Sequence, residues 1–98
     1  MDTNEFNKLF NIIAKRAKTG KSNSYTKKLL NKGAKNIAQK VGEESTELII
    51  DYLKGSKKRT IEEAVDLIYH LFVLLHSKNI KLEDIKKELK NRRNVRRK

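Results

Sequence analysis

The sequence predicts an all-α fold, a helical bundle completed by homo-oligomerisation, on three observations. None of its 98 residues is proline and only four are glycine, at 20, 33, 42 and 55, so little interrupts long helices. Apolar residues recur about every 3.6 positions along most of the chain, and alternating strand patterns are weak. Only 37% of the residues are hydrophobic, and a domain of this size removes only about 60% of its unfolded surface from water. A second copy is therefore expected to cover an apolar helical face.

Taken in order, Asp2 with Glu5 resembles a capping box, and Phe6, Leu9, Phe10, Ile13 and Ala17 then share one helical face, giving a first helix to about Ala17. The polar stretch from Lys18 to Asn23, with Gly20 inside it, reads as a loop. Ser24 can cap a short helix carrying Leu29 and Leu30, which ends at Gly33. Ile37, Val41, Leu48, Ile49 and Tyr52 define a long third helix from Ala34 to Gly55, across Gly42, which costs about 1 kcal/mol relative to alanine. The turn Gly55 to Arg59 closes it. Thr60 with Glu63 offers another capping box, opening a helix that is apolar nearly all round through Leu75; such a helix belongs inside a bundle or at a subunit contact. Leu82 to about Leu89 makes a last charged helix. Residues 1–90 thus read as a single domain and Asn91 to Lys98 as a basic C-terminal tail.

With no cysteine, a disulfide framework, a thiolate metal site and a cysteine nucleophile are all excluded. Met1 to Phe6 has no basic segment leading into an apolar one, and the longest apolar run is only Leu71 to Leu75, so neither a signal peptide nor a membrane span is expected. A cytoplasmic location fits. Lys and Arg number 24 against 12 Asp and Glu, a formal charge of +12, which suggests a polyanionic partner. The charge is unevenly spread. Seven of the twelve acids lie between 43 and 66, where four basic residues oppose them, a net −3 in a chain whose remainder is +15. A basic helical nucleic-acid-binding protein would explain the total charge and leave this acidic focus unexplained.

Glu43-Glu44-x-x-Glu47 puts Glu44 and Glu47 on one face of the third helix, and Glu63-x-x-Asp66 does the same on the next. A short turn between these helices makes them antiparallel neighbours, able to bring four carboxylates around one small volume. Such a cluster repels itself unless a cation sits within it, and carboxylate oxygens suit hard divalent ions. Mg²⁺ is the expected cofactor; it ordinarily binds through a few carboxylates together with the phosphates of a substrate, so a polyphosphate ligand is implied. One ExxE on a helix is usually a solvated face. Two on adjacent helices, one of them inside an apolar run where Asp66 sits between Val65 and Leu67, point to a site.

Lys40, one turn before Glu44, is a candidate phosphate contact or an ordinary ion-pair partner. His70, one turn after Asp66, can orient a carboxylate, hold a water or simply be a satisfied core histidine. Tyr69 reads as packing. Ser24-Tyr25-Thr26 is at least a helix start.

These segments resemble one family. Ser24-Tyr25-Thr26-x-x-Leu29-x-x-x-Gly33, then Gln39-Lys40-Val41-Gly42-Glu43-Glu44-x-x-Glu47, then Glu63-Ala64-x-Asp66-Leu67-x-Tyr69-His70-Leu71-x-Val73-Leu74-Leu75 are similar, in order and spacing, to phosphoribosyl-ATP pyrophosphatases. The acid motifs alone would indicate only the wider all-α nucleotide pyrophosphohydrolase superfamily. Two departures are Asn23, where a proline often precedes the Ser-Tyr-Thr segment, and the arginine-rich tail. The resemblance implies the second step of histidine biosynthesis, in which N1-(5-phosphoribosyl)-ATP and water give N1-(5-phosphoribosyl)-AMP and pyrophosphate. It also implies a helical homo-oligomer whose core is built by both chains.

The expected site therefore has Glu44, Glu47, Glu63 and Asp66 as metal ligands and Glu43 as a further ligand or the base that positions water. Lys40, Ser24, Tyr25 and His70 are expected on the substrate. The alternatives are a house-cleaning pyrophosphohydrolase for another nucleoside triphosphate and the nucleic-acid-binding protein above.

Overall fold

A computed structural model describes residues 4–19, 21 and 24–95; Asp2 of the expected first cap, Gly20 and Asn23 of the expected loop, and Arg96 to Lys98 of the expected tail lie outside the described residues. Five helices follow one another, and the described residues contain no strand: α1 (Glu5–Thr19), α2 (Tyr25–Lys32), α3 (Ala34–Lys54), α4 (Lys57–Ser77) and α5 (Leu82–Val95).

The helix ends follow local chemistry. Asn4 Oδ1 accepts the Asn7 N–H at 2.8 Å and so caps α1. Ser24 Oγ accepts the Lys27 N–H at 3.1 Å at the start of α2, as its position before Tyr25 predicts. Gly33, at φ +99°, then turns the chain straight into α3, a conformation that resists any side chain. α4 begins a turn earlier than expected. Ser56 Oγ caps it by accepting the Arg59 N–H at 3.0 Å, while the Thr60 hydroxyl donates back to the Ser56 carbonyl at 2.9 Å from inside the helix. Only Gly55 and Ser56 separate α3 from α4, so the two run antiparallel and pack along each other more extensively than any other pair of helices. α5 also runs past its expected end, so Arg92 and Arg93 are helical, in a last turn where basic residues complement the helix dipole.

The core is small. Phe10 and Ile13 from α1, Leu29 from α2, Ile37 from α3, and Phe72 and Val73 from α4 are buried together, with Phe10 and Phe72 ring centroids 5.2 Å apart. Each such side chain contributes about 1.5–3 kcal/mol through burial. α5 is attached more lightly, by Leu82 against the core and by Lys86 Nζ donating to Asn7 Oδ1 at 2.8 Å. The apolar surface of the α3–α4 hairpin is only partly covered: Ile49, Leu53, Ile61 and Val65 are all more than half exposed. No helix among the described residues is long and apolar enough to cross a membrane.

Candidate active site

The buried stripe of α3 runs through Ile37 and, seven residues on, Glu44; that of α4 runs through Glu63, His70 and Val73. Two glutamates thus occupy positions that helical spacing reserves for core residues. The α3–α4 hairpin brings them together: one oxygen from each of Glu44, Glu63 and Asp66 lies within 4.8 Å of the others. Glu63 is the deepest of the three, 4% exposed, and its Oε1 is buried without any hydrogen-bond partner. Its Oε2 accepts from Arg59 Nη2 at 3.2 Å, and the same guanidinium reaches Glu62 at 3.1 Å and Asp51 at 3.7 Å. Burial first, then a hydrogen bond shared with the Glu44 carboxyl and the charges of Glu47, Glu44 and Asp66, push the Glu63 carboxyl up to about 7. Three crowded carboxylates with one orphaned buried oxygen fit a hard divalent cation.

The expected residues divide around this cluster. Asp66 belongs to it but is exposed, so the costly buried acid of α4 is Glu63 and not Asp66; Asp66 sits at the rim. Glu47 is exposed and outside the close group of three, although near enough to affect Glu63. Glu43 is also exposed and faces Gln39 and Lys40, with Gln39 Nε2 donating to it at 3.3 Å. Lys40 lies 3.5 Å from Glu44 and 3.8 Å from Glu43. Partial burial lowers the proton affinity of Lys40, but Tyr25, Glu44 and Glu43 outweigh it and hold the ammonium above the ordinary lysine value.

His70, expected on the substrate, is buried and both of its ring nitrogens are engaged within the chain. Nδ1 is 2.8 Å from the Asp66 carbonyl, which can only accept, so Nδ1 donates there and Nε2 is left to accept from the Tyr25 hydroxyl at 2.7 Å. Burial, then Tyr69 and the nearby carboxylates, keeps the Tyr25 phenol raised and hence protonated as this donor, against the lowering effect of Lys40. The neighbouring Thr26, fully buried, hydrogen-bonds the Tyr69 hydroxyl. Ser24, with its hydroxyl spent on the α2 cap, holds the start of this segment. The Ser-Tyr-Thr segment is thus a clamp that fixes α2 to α4 beside the carboxylates.

Arg59 escapes a sequence reading that assigns it to a turn. The available signal was its spacing, three residues before Glu62 and four before Glu63 on a helix that starts at Lys57.

A helical hairpin that carries buried glutamates where core residues belong, beside a lysine and a clamped tyrosine, defines an all-α protein of the carboxylate-cluster class. The chain belongs to the phosphoribosyl-ATP pyrophosphohydrolase family, whose model matches residues 5–93. It is 50% identical over 92 residues to the phosphoribosyl-ATP pyrophosphatase of Sulfolobus acidocaldarius, an alignment covering 94% of this chain and 97% of the relative. The phosphoribosyl-ATP pyrophosphatase of Sulfurisphaera tokodaii is 49% identical over 92 residues, covering 94% and 98%. That of Clostridium acetobutylicum is 50% identical over 93 residues, covering 94% and 84%.

Proposed function

We propose that this protein hydrolyses N1-(5-phosphoribosyl)-ATP to N1-(5-phosphoribosyl)-AMP and pyrophosphate, the second step of histidine biosynthesis, in the cytoplasm. Water supplies the new oxygen and the α–β phosphoanhydride bond breaks. The observation that carries this reading is Glu63, a buried carboxylate with an unpartnered oxygen set against Glu44 and Asp66, in a chain whose relatives of about 50% identity bear the name of that activity.

Glu44, Glu63 and Asp66 would hold Mg²⁺, with Glu47 joining them from the next turn of α3, and the ion would supply charge neutralisation for the triphosphate and a lowered pKa for bound water. The chain's own groups do the rest. Glu43, exposed and one residue from the cluster, positions the attacking water and takes its proton. Lys40 stands over Glu44 with its ammonium charged and receives the departing pyrophosphate. Tyr25 borders the substrate, fixed there by His70 and by the Ser24 cap. Arg59 holds Glu63 through the Oε2 of that carboxylate. A second copy of the chain covers Ile49, Leu53, Ile61 and Val65, completing the bundle as a homo-oligomer. We read the chain as one catalytic domain.

A nucleic-acid-binding role would explain the net charge and leave Glu63 without a purpose. The remaining competitor is a relative acting on another nucleoside triphosphate, and substrate choice separates the two. With Mg²⁺ present, pyrophosphate release from phosphoribosyl-ATP should far exceed that from ATP; a preference for ATP or another simple nucleoside triphosphate would overturn the assignment.

A further inference from the structure

The carboxylates and Lys40 occupy one end of a longer feature. Between α2 and α3 lies a cavity of about 320 Å³ whose wall includes Tyr25, Lys28, Lys32, Asn36, Gln39 and Lys40. Lys28 and Lys32 are four residues apart on α2 and so share one face, an arrangement that repels by a few tenths of a kcal/mol. Among the described residues neither makes an ion pair with a carboxylate, whereas Lys40 makes two. The wall also carries one carboxylate, Glu43, which Lys40 already pairs, so three ammonium groups face a single acid and the concave surface is suited to an anion.

Its position says which anion. The cavity starts beside the carboxylate cluster, at Lys40, and extends along α3 to Asn36, about 12 Å from Glu44 by helical rise. Tyr25 is close enough to Lys40, Glu44 and Asp66 to be influenced by their charges, and it also lies on the wall that carries Lys28 and Lys32, one and two turns further along α2. Phosphoribosyl-ATP has the same layout. Its triphosphate hangs from the ribose on N9, a purine lies in the middle, and a phosphate monoester hangs from the ribose on N1 across the ring. The triphosphate reacts and calls for a cation and carboxylates. The monoester stays intact and needs only fixed positive charge.

We propose that the α2–α3 groove binds the phosphate of the N1-linked ribosyl group, with Lys28 and Lys32 as its cationic partners and the purine against Tyr25, so that these two lysines discriminate phosphoribosyl-ATP from ordinary nucleoside triphosphates. This rests on the function proposed above. An ordinary nucleoside triphosphate fills the carboxylate end and leaves the lysine end empty.

The test is the double variant K28M/K32M, which keeps the side-chain stems of two exposed residues and removes their charge. Steady-state kinetics with phosphoribosyl-ATP are compared with the inhibition constants of Mg-ATP and of ribose 5-phosphate. The KM for phosphoribosyl-ATP should rise about a hundredfold or more, as expected for two charge-assisted contacts. Inhibition by ribose 5-phosphate should disappear and the inhibition constant of Mg-ATP should stay as in wild type. An equal weakening of Mg-ATP would place both lysines on the triphosphate and overturn the proposal, as would an unchanged KM. A wild type that binds ribose 5-phosphate through these lysines but releases no pyrophosphate from phosphoribosyl-ATP would instead overturn the functional reading, and with it the assignment of the groove to that substrate.

Discussion

The Tyr25 hydroxyl donates to Nε2 of His70 at 2.7 Å, and the opposite ring nitrogen donates to the Asp66 carbonyl at 2.8 Å. One buried imidazole therefore links the tyrosine of the α2 segment to the backbone of an acid in the carboxylate cluster. His70→Phe preserves the packing and removes the acceptor. Because Tyr25 is about half exposed, water can take over its hydroxyl, and the loss of stability should be only about 1 kcal/mol. The KM for phosphoribosyl-ATP should rise several-fold, while the Mg²⁺-induced gain in melting temperature stays, since the carboxylates are untouched. Loss of that gain would mean that His70 supports the metal cluster itself.

The second prediction concerns pH. Glu63 is raised from an ordinary 4.5 to about 7, so between these values the folded chain holds a proton that the unfolded chain has lost. The contribution of Glu63 therefore favours folding at low pH and diminishes as pH rises from 4.5 to about 7. A bound cation requires the deprotonated form and reverses the trend, so the increase in melting temperature produced by Mg²⁺ should be small at about pH 5 and large at about pH 8. Melting curves with Mg²⁺ and with chelator at each pH test this; an increment independent of pH would remove Glu63 from the metal site. Glu63→Gln should abolish the pH dependence of the increment.

Assembly can be tested at the hairpin surface. Ile49 and Leu53 are one turn apart on α3, and Ile61 and Val65 one turn apart on α4, all with more than half of their surface exposed. Light scattering at micromolar concentration should give a mass well above the 11.4 kDa of one chain. Ile49→Asp with Leu53→Asp should return the protein to monomers and lower its melting temperature, each lost apolar burial costing about 1.5–3 kcal/mol. A wild type that scatters as a single chain would contradict this.

Much of this was legible in the sequence because it depends on local spacing. Ser24 and Gly33 bracket α2 as their chemistry requires, and Glu44 of α3 comes together with Glu63 and Asp66 of α4 because only two residues join the helices. What failed needed information from across the chain. Asp66 looks buried because its neighbours in sequence are apolar and it shares the face of Glu63, His70 and Val73, yet it is exposed while Glu63 is buried. Depth along one face depends on what packs opposite each turn, which the helix's own sequence does not show. Thr60 with Glu63 has the pattern of a capping box, yet Ser56 offers an earlier cap and residues 57–59 are competent helix formers, so the helix starts there and carries Arg59 with it. The groove was hidden because Lys28 and Lys32 look like any solvated face until Asn36, Gln39 and Lys40 stand opposite them.

The account turns on catalysis at Glu44, Glu63 and Asp66, and pyrophosphate release from phosphoribosyl-ATP by wild type and Asp66→Asn tests it most directly. Among the described residues Asp66 has no ion-pair partner to strand, so the variant should fold and, relieved of one repelling charge, melt at least as high as metal-free wild type. Wild type should release one pyrophosphate per phosphoribosyl-AMP formed, stop on chelation and resume with Mg²⁺. Asp66→Asn should lose about a hundredfold or more in kcat/KM, as removal of a metal-ligating charge implies, together with most of the Mg²⁺-induced gain in melting temperature. A variant that keeps wild-type turnover, or a wild-type reaction indifferent to chelation, would contradict the account.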